Sequence, residues 1–251
     1  MKIWVNDKLL EASSEYLDEK NWPLGIGLFE TIRTEDGSVQ LLARHMRRVI
    51  TSARELEIPI PNEDLISQAI AELIAVTPHR VGRLRLSFGS ERFIATHEAY
   101  DSGNDPLKVL INHQITSAVG RQHKAFPYYE RLELLQAALD SGCDEVIVID
   151  QDDRVREGAV SNFAFRIDGQ WRTPPITAGI LPGVMRALAV EECGVVVKDL
   201  SGADVTSCEA AIALSSLKIS LPIASIDGRS LAIDSDVSDL CSKLRQLATA
   251  H

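Results

Sequence analysis

Apolar residues recur along the chain at two spacings, and these predict its first elements. Apolar and polar positions alternate, as in short strands, at residues 1–10, 27–42, 82–89 and 106–115. Between them, residues 43–58 and 62–77 repeat apolar side chains every three or four positions, which predicts two amphipathic helices, with Asn62 placed to cap the second. The first part of the chain is therefore predicted to be α+β, with two helices against an antiparallel sheet.

The rest of the chain contains a predicted loop and a second group of elements. Residues 91–106 have turn composition and little periodicity, which predicts a long functional loop. Beyond it the pattern predicts helices at 131–141, 184–193 and from 236, and strands at 145–150, 162–167, 195–198 and 210–215. We expect two domains, a smaller one at residues 1–112 and a larger α/β one at residues 113–251.

Composition excludes several classes of function. The formal charge is -10, from 26 Lys and Arg against 36 Asp and Glu, which argues against nonspecific binding to nucleic acid or acidic membranes. The four cysteines are scattered, so we expect neither a metal site nor disulfides. There is no signal peptide pattern and no apolar run near the ~20 residues of a membrane span, so a cytoplasmic protein is expected.

Three stretches of the second half suggest chemistry. Lys124 precedes the predicted helix 131–141, although such a lysine is more often a solvated charge. Glu157 precedes a strand, and "LPG" at 181–183 leads into the helix 184–193. A glycine turn at a helix start offers unpaired N–H groups that suit a phosphate, although it is also common turn chemistry. An amine, a carboxylate and a phosphate site are together what a pyridoxal phosphate enzyme requires.

Six motifs, in order, resemble those of one family. They are "GIGLFETIR" (25–33), "LLARHMRRV" (41–49), "KAFPYY" (124–129), "GCDEVIVID" (142–150), "EGAVSNFAF" (157–165) and "GILPGVMR" (179–186). With them the chain resembles the class IV aminotransferase family, the fold-type IV pyridoxal phosphate enzymes that include branched-chain and D-amino acid aminotransferases and aminodeoxychorismate lyases. The resemblance implies a two-domain, D-amino acid aminotransferase-like fold, with pyridoxal 5'-phosphate at the domain interface, a small-molecule amino substrate and a homodimer.

The resemblance also implies roles for individual residues. Lys124 matches the lysine that binds the cofactor covalently and moves the substrate proton, and Glu157 matches the partner of the pyridine nitrogen. The remaining cofactor-binding positions are Arg48, Asn162, Val184, Met185 and Ser216. The family pattern is not complete, since Ile26, Pro127, Ala164 and Met185 replace its usual Asp, Asn, aromatic and Thr.

The reaction stays open between alternatives. The carboxylate-binding motifs of the D-amino acid and branched-chain aminotransferases are absent. Phe29, a candidate substrate residue, replaces a tyrosine of the D-amino acid aminotransferases. The compact length and the "WVND" start resemble 4-amino-4-deoxychorismate lyase, which releases pyruvate and p-aminobenzoate, as in folate biosynthesis. Its dicarboxylate substrate needs cations, for which Arg92 is the candidate, with Arg83 and Arg85 behind it. An aminotransferase is the second interpretation, and a degenerate cofactor-binding protein the third.

Overall fold

The computed structural model describes residues 1–101, 103–113 and 122–250. Its strands are β1 (Lys2–Val5), β2 (Lys8–Glu11), β3 (Gly27–Glu35), β4 (Ser38–Val39), β5 (Val81–Gly89), β6 (Phe93–Ala99), β7 (Leu107–Asn112), β8 (Ala125–Phe126), β9 (Glu145–Val148), β10 (Asn162–Ile167), β11 (Gln170–Thr173), β12 (Val196–Val197), β13 (Ala210–Ser215), β14 (Ile219–Ile226) and β15 (Arg229–Ser230). Its helices are α1 (Leu42–Glu55), α2 (Glu63–Val76), α3 (Tyr129–Asp140), α4 (Val184–Cys193), α5 (Gly202–Ser207) and α6 (Ser235–Thr249).

The chain forms two compact units. Unit 1 comprises Met1–Ser102 and His123–Tyr128, and unit 2 comprises Gly103–Gln122 and Tyr129–His251. Each unit combines helices with a sheet, which confirms the predicted α+β class. None of the helices in the described chain has both the length and the apolar character that a membrane crossing requires.

Unit 1 is an antiparallel sheet with two helices on one face. The strand order is β2-β1-β6-β5-β3-β4, and β8 pairs with β3. Even-numbered residues of β3 and β5 face α1 and α2, because successive side chains of a strand point to opposite sides. The buried cluster on this face includes Leu28, Ile32, Val49, Ile70, Leu84 and Leu86. As predicted, Asn62 caps α2, and its Oδ1 accepts from Leu65 N at 2.9 Å.

The odd-numbered residues of β3 and β5 form the other face of this sheet, which is much more polar. Phe29 lies directly opposite Ser87, and Thr31 lies directly opposite Arg85. The same strands therefore present an apolar face to the helices and a face with aromatic, hydroxyl and guanidinium groups on the other side.

The prediction of a loop at 91–106 is wrong for much of that range. Residues 93–99 form β6, which pairs with β1 on one side and β5 on the other. Burial explains the weak alternation of "FIATHEA", since its first five residues are buried and the strand therefore has no clear polar face.

Unit 2 is a mixed sheet of order β12-β11-β10-β13-β14-β7-β9, with β15 paired to β14. β7 runs parallel to both β14 and β9, and β11 runs parallel to β12. A buried cluster that includes Val109, Ile147, Phe163, Ala213 and Ile223 joins these strands. The pattern missed β11 and β14, whereas the predicted bounds of α4 are confirmed.

The division into units differs from the predicted boundary between residues 112 and 113. β7 precedes that boundary but pairs with β9 and β14, so it belongs to unit 2. The segment that carries Lys124 was predicted in the C-terminal domain, yet it groups with unit 1 because β8 pairs with β3. Both differences arise from strand pairing between residues far apart in the sequence.

Gly27 allows β8 to approach β3 and β5 closely. A Cβ atom at Gly27 would lie 2.2 Å from Phe88 O and 2.6 Å from the Phe126 ring. Gly89, directly opposite in the β3–β5 pair, has more room, because the nearest atom to its added Cβ is Arg92 O at 3.5 Å. The close packing at Gly27 holds the strand that follows Lys124.

Gly27→Ala is expected to lower the free energy of unfolding by about 1–3 kcal/mol, since the methyl group fits only if a neighbouring strand moves. Gly89→Ala is the matched control and should change it by less than about 0.5 kcal/mol. Urea denaturation of both variants measures the difference. Equal stability of the two variants would contradict the close packing described for Gly27.

Candidate active site

Lys124 lies at the edge of the unit 1 sheet, immediately before β8. Its backbone is fixed, because Phe29 N donates to Lys124 O at 2.8 Å. Its Nζ lies 4.4 Å from the centroid of the Phe29 ring and 4.9 Å from that of Tyr128. Contacts of this kind are cation–π interactions, which hold an ammonium group against aromatic faces. The sequence prediction that pairs Lys124 with Phe29 in one site is consistent with this contact.

The rings beside Lys124 belong to an aromatic cluster, which we define as Trp22, Phe29 and Tyr128. Ring centroids are 4.8 Å apart for Trp22 and Phe29 and 5.0 Å apart for Phe29 and Tyr128, both with edge-to-face geometry. Sequence reasoning did not assign Trp22 or Tyr128 a role. The available signal was their position, since Trp22 lies three residues before "GIGLFETIR" and Tyr128 lies within "KAFPYY".

Glu30, next to Phe29 in β3, points to the helix-covered face and forms a buried polar group with two residues of α1. Its carboxylate accepts from Arg48 Nε at 2.8 Å and Arg48 Nη2 at 2.5 Å. It also accepts from His45 Nδ1 at 2.6 Å. The side chain of Arg48 is thus held in a fixed orientation by a bidentate bond, a constraint that the sequence prediction for Arg48 did not include.

Electrostatics keep this group in one protonation state near neutral pH. Burial raises the pKa of Glu30, but the Arg48 and His45 partners outweigh burial and bring the pKa from 4.5 to about 2. Burial lowers the pKa of His45, and Glu30 only partly offsets that effect. Glu30 is therefore ionised, and His45 is a neutral imidazole that donates its Nδ1 hydrogen, because a carboxylate can only accept.

Arg92 lies in the turn between β5 and β6 and has other partners. Its Nη1 donates to Glu15 O at 3.0 Å, and its guanidinium carbon lies 5.5 Å from the centroid of the Tyr16 ring. These contacts hold the side chain along the segment that precedes the aromatic cluster. The substrate role of Arg92 stays a prediction.

In unit 2, Glu157 is a buried carboxylate with donors on both oxygens. Oε2 accepts from Asn162 Nδ2 and from Leu181 N, each at 3.0 Å, and Oε1 accepts from Arg131 Nη2. Arg131 also donates to Gly158 O at 3.0 Å. These donors fix the orientation of the carboxylate. Sequence reasoning placed Asn162 near this site but missed Arg131. In the sequence of α3, Arg131 is one of several charged residues and nothing distinguishes it.

Glu145 supports the backbone that follows Glu157. Its carboxylate accepts from Ala159 N at 2.9 Å and from Val160 N at 3.2 Å. Burial raises the pKa of Glu145, and backbone hydrogen bonds from Val146 N and Ala159 N offset the effect only in part. Gly158 is needed beside this group, because an added Cβ would lie 2.7 Å from Val146 O.

The start of α4 lies beside Asn162. Gly183 is the N-cap and no side chain caps the helix, so the first N–H groups of α4 have no capping acceptor from a side chain. A Cβ at Gly183 would lie 1.8 Å from Asn162 Oδ1, which explains the glycine. Val184 and Met185 form the first turn with buried side chains, and Ser216 lies in the turn between β13 and β14.

The residues present fit pyridoxal phosphate. Unit 1 supplies an amine on aromatic faces and a guanidinium held in a fixed orientation by Glu30. Unit 2 supplies an oriented, buried carboxylate and a glycine-capped helix start that suits a phosphate. No group of three or more metal-ligating side chains suited to a metal ion occurs within the described ranges.

The family model for amino-transferase class IV matches residues 27–226. The chain belongs to the class IV aminotransferase family. This confirms the family that the six motifs predicted, and with it a pyridoxal-phosphate-dependent enzyme, a transaminase or a lyase.

Individual relatives of this class IV chain carry different names. It is 25% identical to a D-alanine aminotransferase of Bacillus licheniformis over 92% of this chain and 90% of that one. It is 28% identical to an aminodeoxychorismate lyase of Bacillus subtilis over 75% of this chain and 72% of that one. The pyridoxal-phosphate-bound form of a hypothetical aminotransferase from Mycobacterium tuberculosis has a TM-score of 0.84 at 21% identity, covering 100% of this chain and 99% of that one.

Glu30→Gln is expected to lower the free energy of unfolding by about 3 kcal/mol near neutral pH, because it removes the carboxylate that is bonded to the buried guanidinium of Arg48. The pKa of Glu30 is depressed from 4.5 to about 2, so its contribution is complete above pH 4.5 and is lost as the pH falls toward 2. The stability difference between wild type and E30Q should therefore shrink on acidification from about pH 7 to about pH 3.

Urea denaturation at both pH values tests this expectation. The control is Glu11→Gln, which removes an exposed carboxylate beside Lys2 and should leave stability close to that of wild type. A wild-type advantage over E30Q that persists undiminished at the acidic pH would show that Glu30 is not the titrating partner.

Proposed function

We propose that the chain is a 4-amino-4-deoxychorismate lyase that uses pyridoxal 5'-phosphate and releases pyruvate and p-aminobenzoate. The observation that carries the proposal is the placement of the Lys124 amine against the aromatic cluster, because a ring-shaped substrate can pack on such faces beside the reacting amine. When bound, the cofactor supplies an electron sink that stabilises negative charge next to the reacting nitrogen.

In this proposal Lys124 and Glu157 perform the two proton-handling tasks. The Lys124 amine would hold the cofactor covalently and, once the substrate amine occupies that position, would accept the proton from the amine-bearing carbon. Glu157 keeps a proton on the ring nitrogen. The bonds from Asn162 Nδ2 and Leu181 N support that role, because these amide donors orient the carboxylate and keep their own hydrogens.

The phosphate partners in the proposal are Arg48, Ser216 and the backbone N–H groups of Val184 and Met185. Glu30 supports the role of Arg48, since a bidentate bond reduces the side-chain entropy that phosphate binding would otherwise cost. The uncapped first turn of α4 supports the role of the two backbone groups.

One feature of the sequence and one of the structure favour the lyase reaction over amino-group transfer. The carboxylate-binding motifs of the aminotransferases are absent, and the aromatic cluster suits an unsaturated ring. In the lyase reaction, loss of the ring proton and cleavage of the carbon–oxygen bond to the enolpyruvyl group make the ring aromatic. The relative named aminodeoxychorismate lyase is consistent with this choice.

An aminotransferase is the second candidate. It is favoured by the D-alanine aminotransferase relative, which aligns with more of the chain than the lyase relative does. Lys124 and Glu157 would have the same roles, except that Lys124 would move the substrate proton without assisting loss of a leaving group. A homodimer is part of either proposal, and light scattering of the purified protein tests it.

Borohydride reduction of the protein mixed with pyridoxal phosphate is expected to attach the cofactor permanently to Lys124. Peptide mass analysis should find the adduct on the peptide that contains Lys124. Lys124→Ala should abolish it, whereas Lys198→Ala, which alters an exposed lysine, should leave it intact. An adduct elsewhere, or a protein that takes up no cofactor, would reject the assignment, whereas an adduct at Lys124 without turnover would favour the degenerate cofactor-binding protein.

Incubation with 4-amino-4-deoxychorismate is expected to release pyruvate and p-aminobenzoate in equal amounts, because one bond cleavage produces both. Coupled assay of pyruvate and chromatography of p-aminobenzoate measure them. Lys124→Ala should reduce the rate to background. Transfer of an amino group from D-alanine or a branched-chain amino acid to 2-oxoglutarate, without lyase turnover, would replace the first candidate with the second.

A further inference from the structure

The polar face of the unit 1 sheet carries three arginines in adjacent strands, and one of them differs from the others. Arg33 pairs with Glu35, and Arg83 pairs with Glu98. For Arg85, no carboxylate lies within ion-pair distance among the residues that the structure describes. Arg85 is therefore a half-buried cation whose charge no neighbouring acid neutralises at close range.

The contacts of Arg85 leave one edge of its guanidinium without a hydrogen-bond partner among the described residues. The guanidinium carbon lies 4.0 Å from the centroid of the Trp22 ring, and Nη1 donates to Asn21 O at 3.1 Å. Nε is buried and has no hydrogen-bond partner within the described chain. Nε and Nη2 form the side-on edge with which arginine binds a carboxylate through two parallel hydrogen bonds.

Arg85 lies close to the residues around Lys124. Thr31 is its direct partner on β3, and Phe29, two residues earlier, is its diagonal neighbour on the same face, a separation of about 7–8 Å. Trp22 touches both Phe29 and Arg85. The amine of Lys124 and the guanidinium of Arg85 thus approach the same aromatic cluster.

The charge of Arg85 persists near neutral pH. Burial, together with the nearby Arg83, lowers the pKa of Arg85 to about 10, so the group is still protonated under ordinary conditions. The carboxylates of Glu98 and Asp18 oppose this lowering of the pKa but do not outweigh burial, so a bound anion would further stabilise the partly desolvated cation.

We propose that Arg85 binds the carboxylate of the substrate, and that the rings of Trp22 and Phe29 contact the flat ring between this carboxylate and the reacting amine. This inference rests on the proposed function and names its substrate class: an amine whose carboxylate stands across an unsaturated ring, rather than on the amine-bearing carbon. It assigns to Arg85 a substrate contact that sequence reasoning gave first to Arg92.

Binding of p-aminobenzoate and of its uncharged amide, p-aminobenzamide, tests the role of Arg85. Isothermal titration of the wild-type protein should show at least about tenfold tighter binding of the carboxylate, the selectivity expected from a charge-assisted bidentate contact. Arg85→Gln should bring the ratio close to one, whereas Arg80→Gln, which alters an exposed arginine just before β5, should preserve it. With substrate, Arg85→Gln should raise KM by about tenfold and change kcat much less.

Two further measurements separate the possible failures. Arg85→Lys keeps the charge without the side-on edge, so it should retain part of the selectivity and provides a test where the glutamine variant does not fold. Borohydride trapping at Lys124 should be unchanged in every Arg85 variant. Intact trapping with unchanged selectivity in Arg85→Gln would overturn the role of Arg85 alone, whereas loss of trapping in the wild type would overturn the proposed function. The selectivity ratio, measured with and without cofactor, decides the role of Arg85 in both cases.

Discussion

The alternation of side chains along β3 is the constraint on which the unit 1 site depends. Because consecutive residues of a strand point to opposite faces, Phe29 supports the Lys124 amine on one side while Glu30 holds Arg48 on the other. The backbone N–H of Phe29 also donates to Lys124 O. A shift of one residue in the pairing of β3 would exchange the two faces and disrupt both groups.

Unit 2 solves a different physical problem, that of burying carboxylates with their oxygens hydrogen-bonded. Glu157 has a guanidinium, a side-chain amide and a backbone N–H as donors, so both of its oxygens are bonded and its direction is fixed. Glu145 and Gly158 hold the following backbone in place. The two carboxylates thus differ in their partners, since two of the donors to Glu157 are side chains whereas Glu145 is bonded to main-chain amides.

Much of the fold could be predicted from local patterns, and the failures have physical causes. α1, α2 and α4 are amphipathic or capped, so their periodicity is visible in the sequence. β6 is buried over most of its length and lacks alternation, which made it resemble a loop. The motifs identified Lys124, Glu157 and Asn162 because each lies within a recognisable segment. Arg131 was not distinguished from a surface charge, and Arg85 was ranked behind Arg92, because the partners of the first and the unbonded Nε of the second are visible only in the folded chain.

The return of the chain to unit 1 at residues 123–128 has a consequence for the order of folding during synthesis. The sheet of unit 1 cannot be completed when β6 emerges from the ribosome, because β8 follows β7, a strand of unit 2. The nascent sheet must therefore keep one edge of β3 open while part of the other unit is made. The last strand to join it brings in the lysine, so the amine arrives after Trp22, Phe29 and the sheet edge have been made, together with Tyr128.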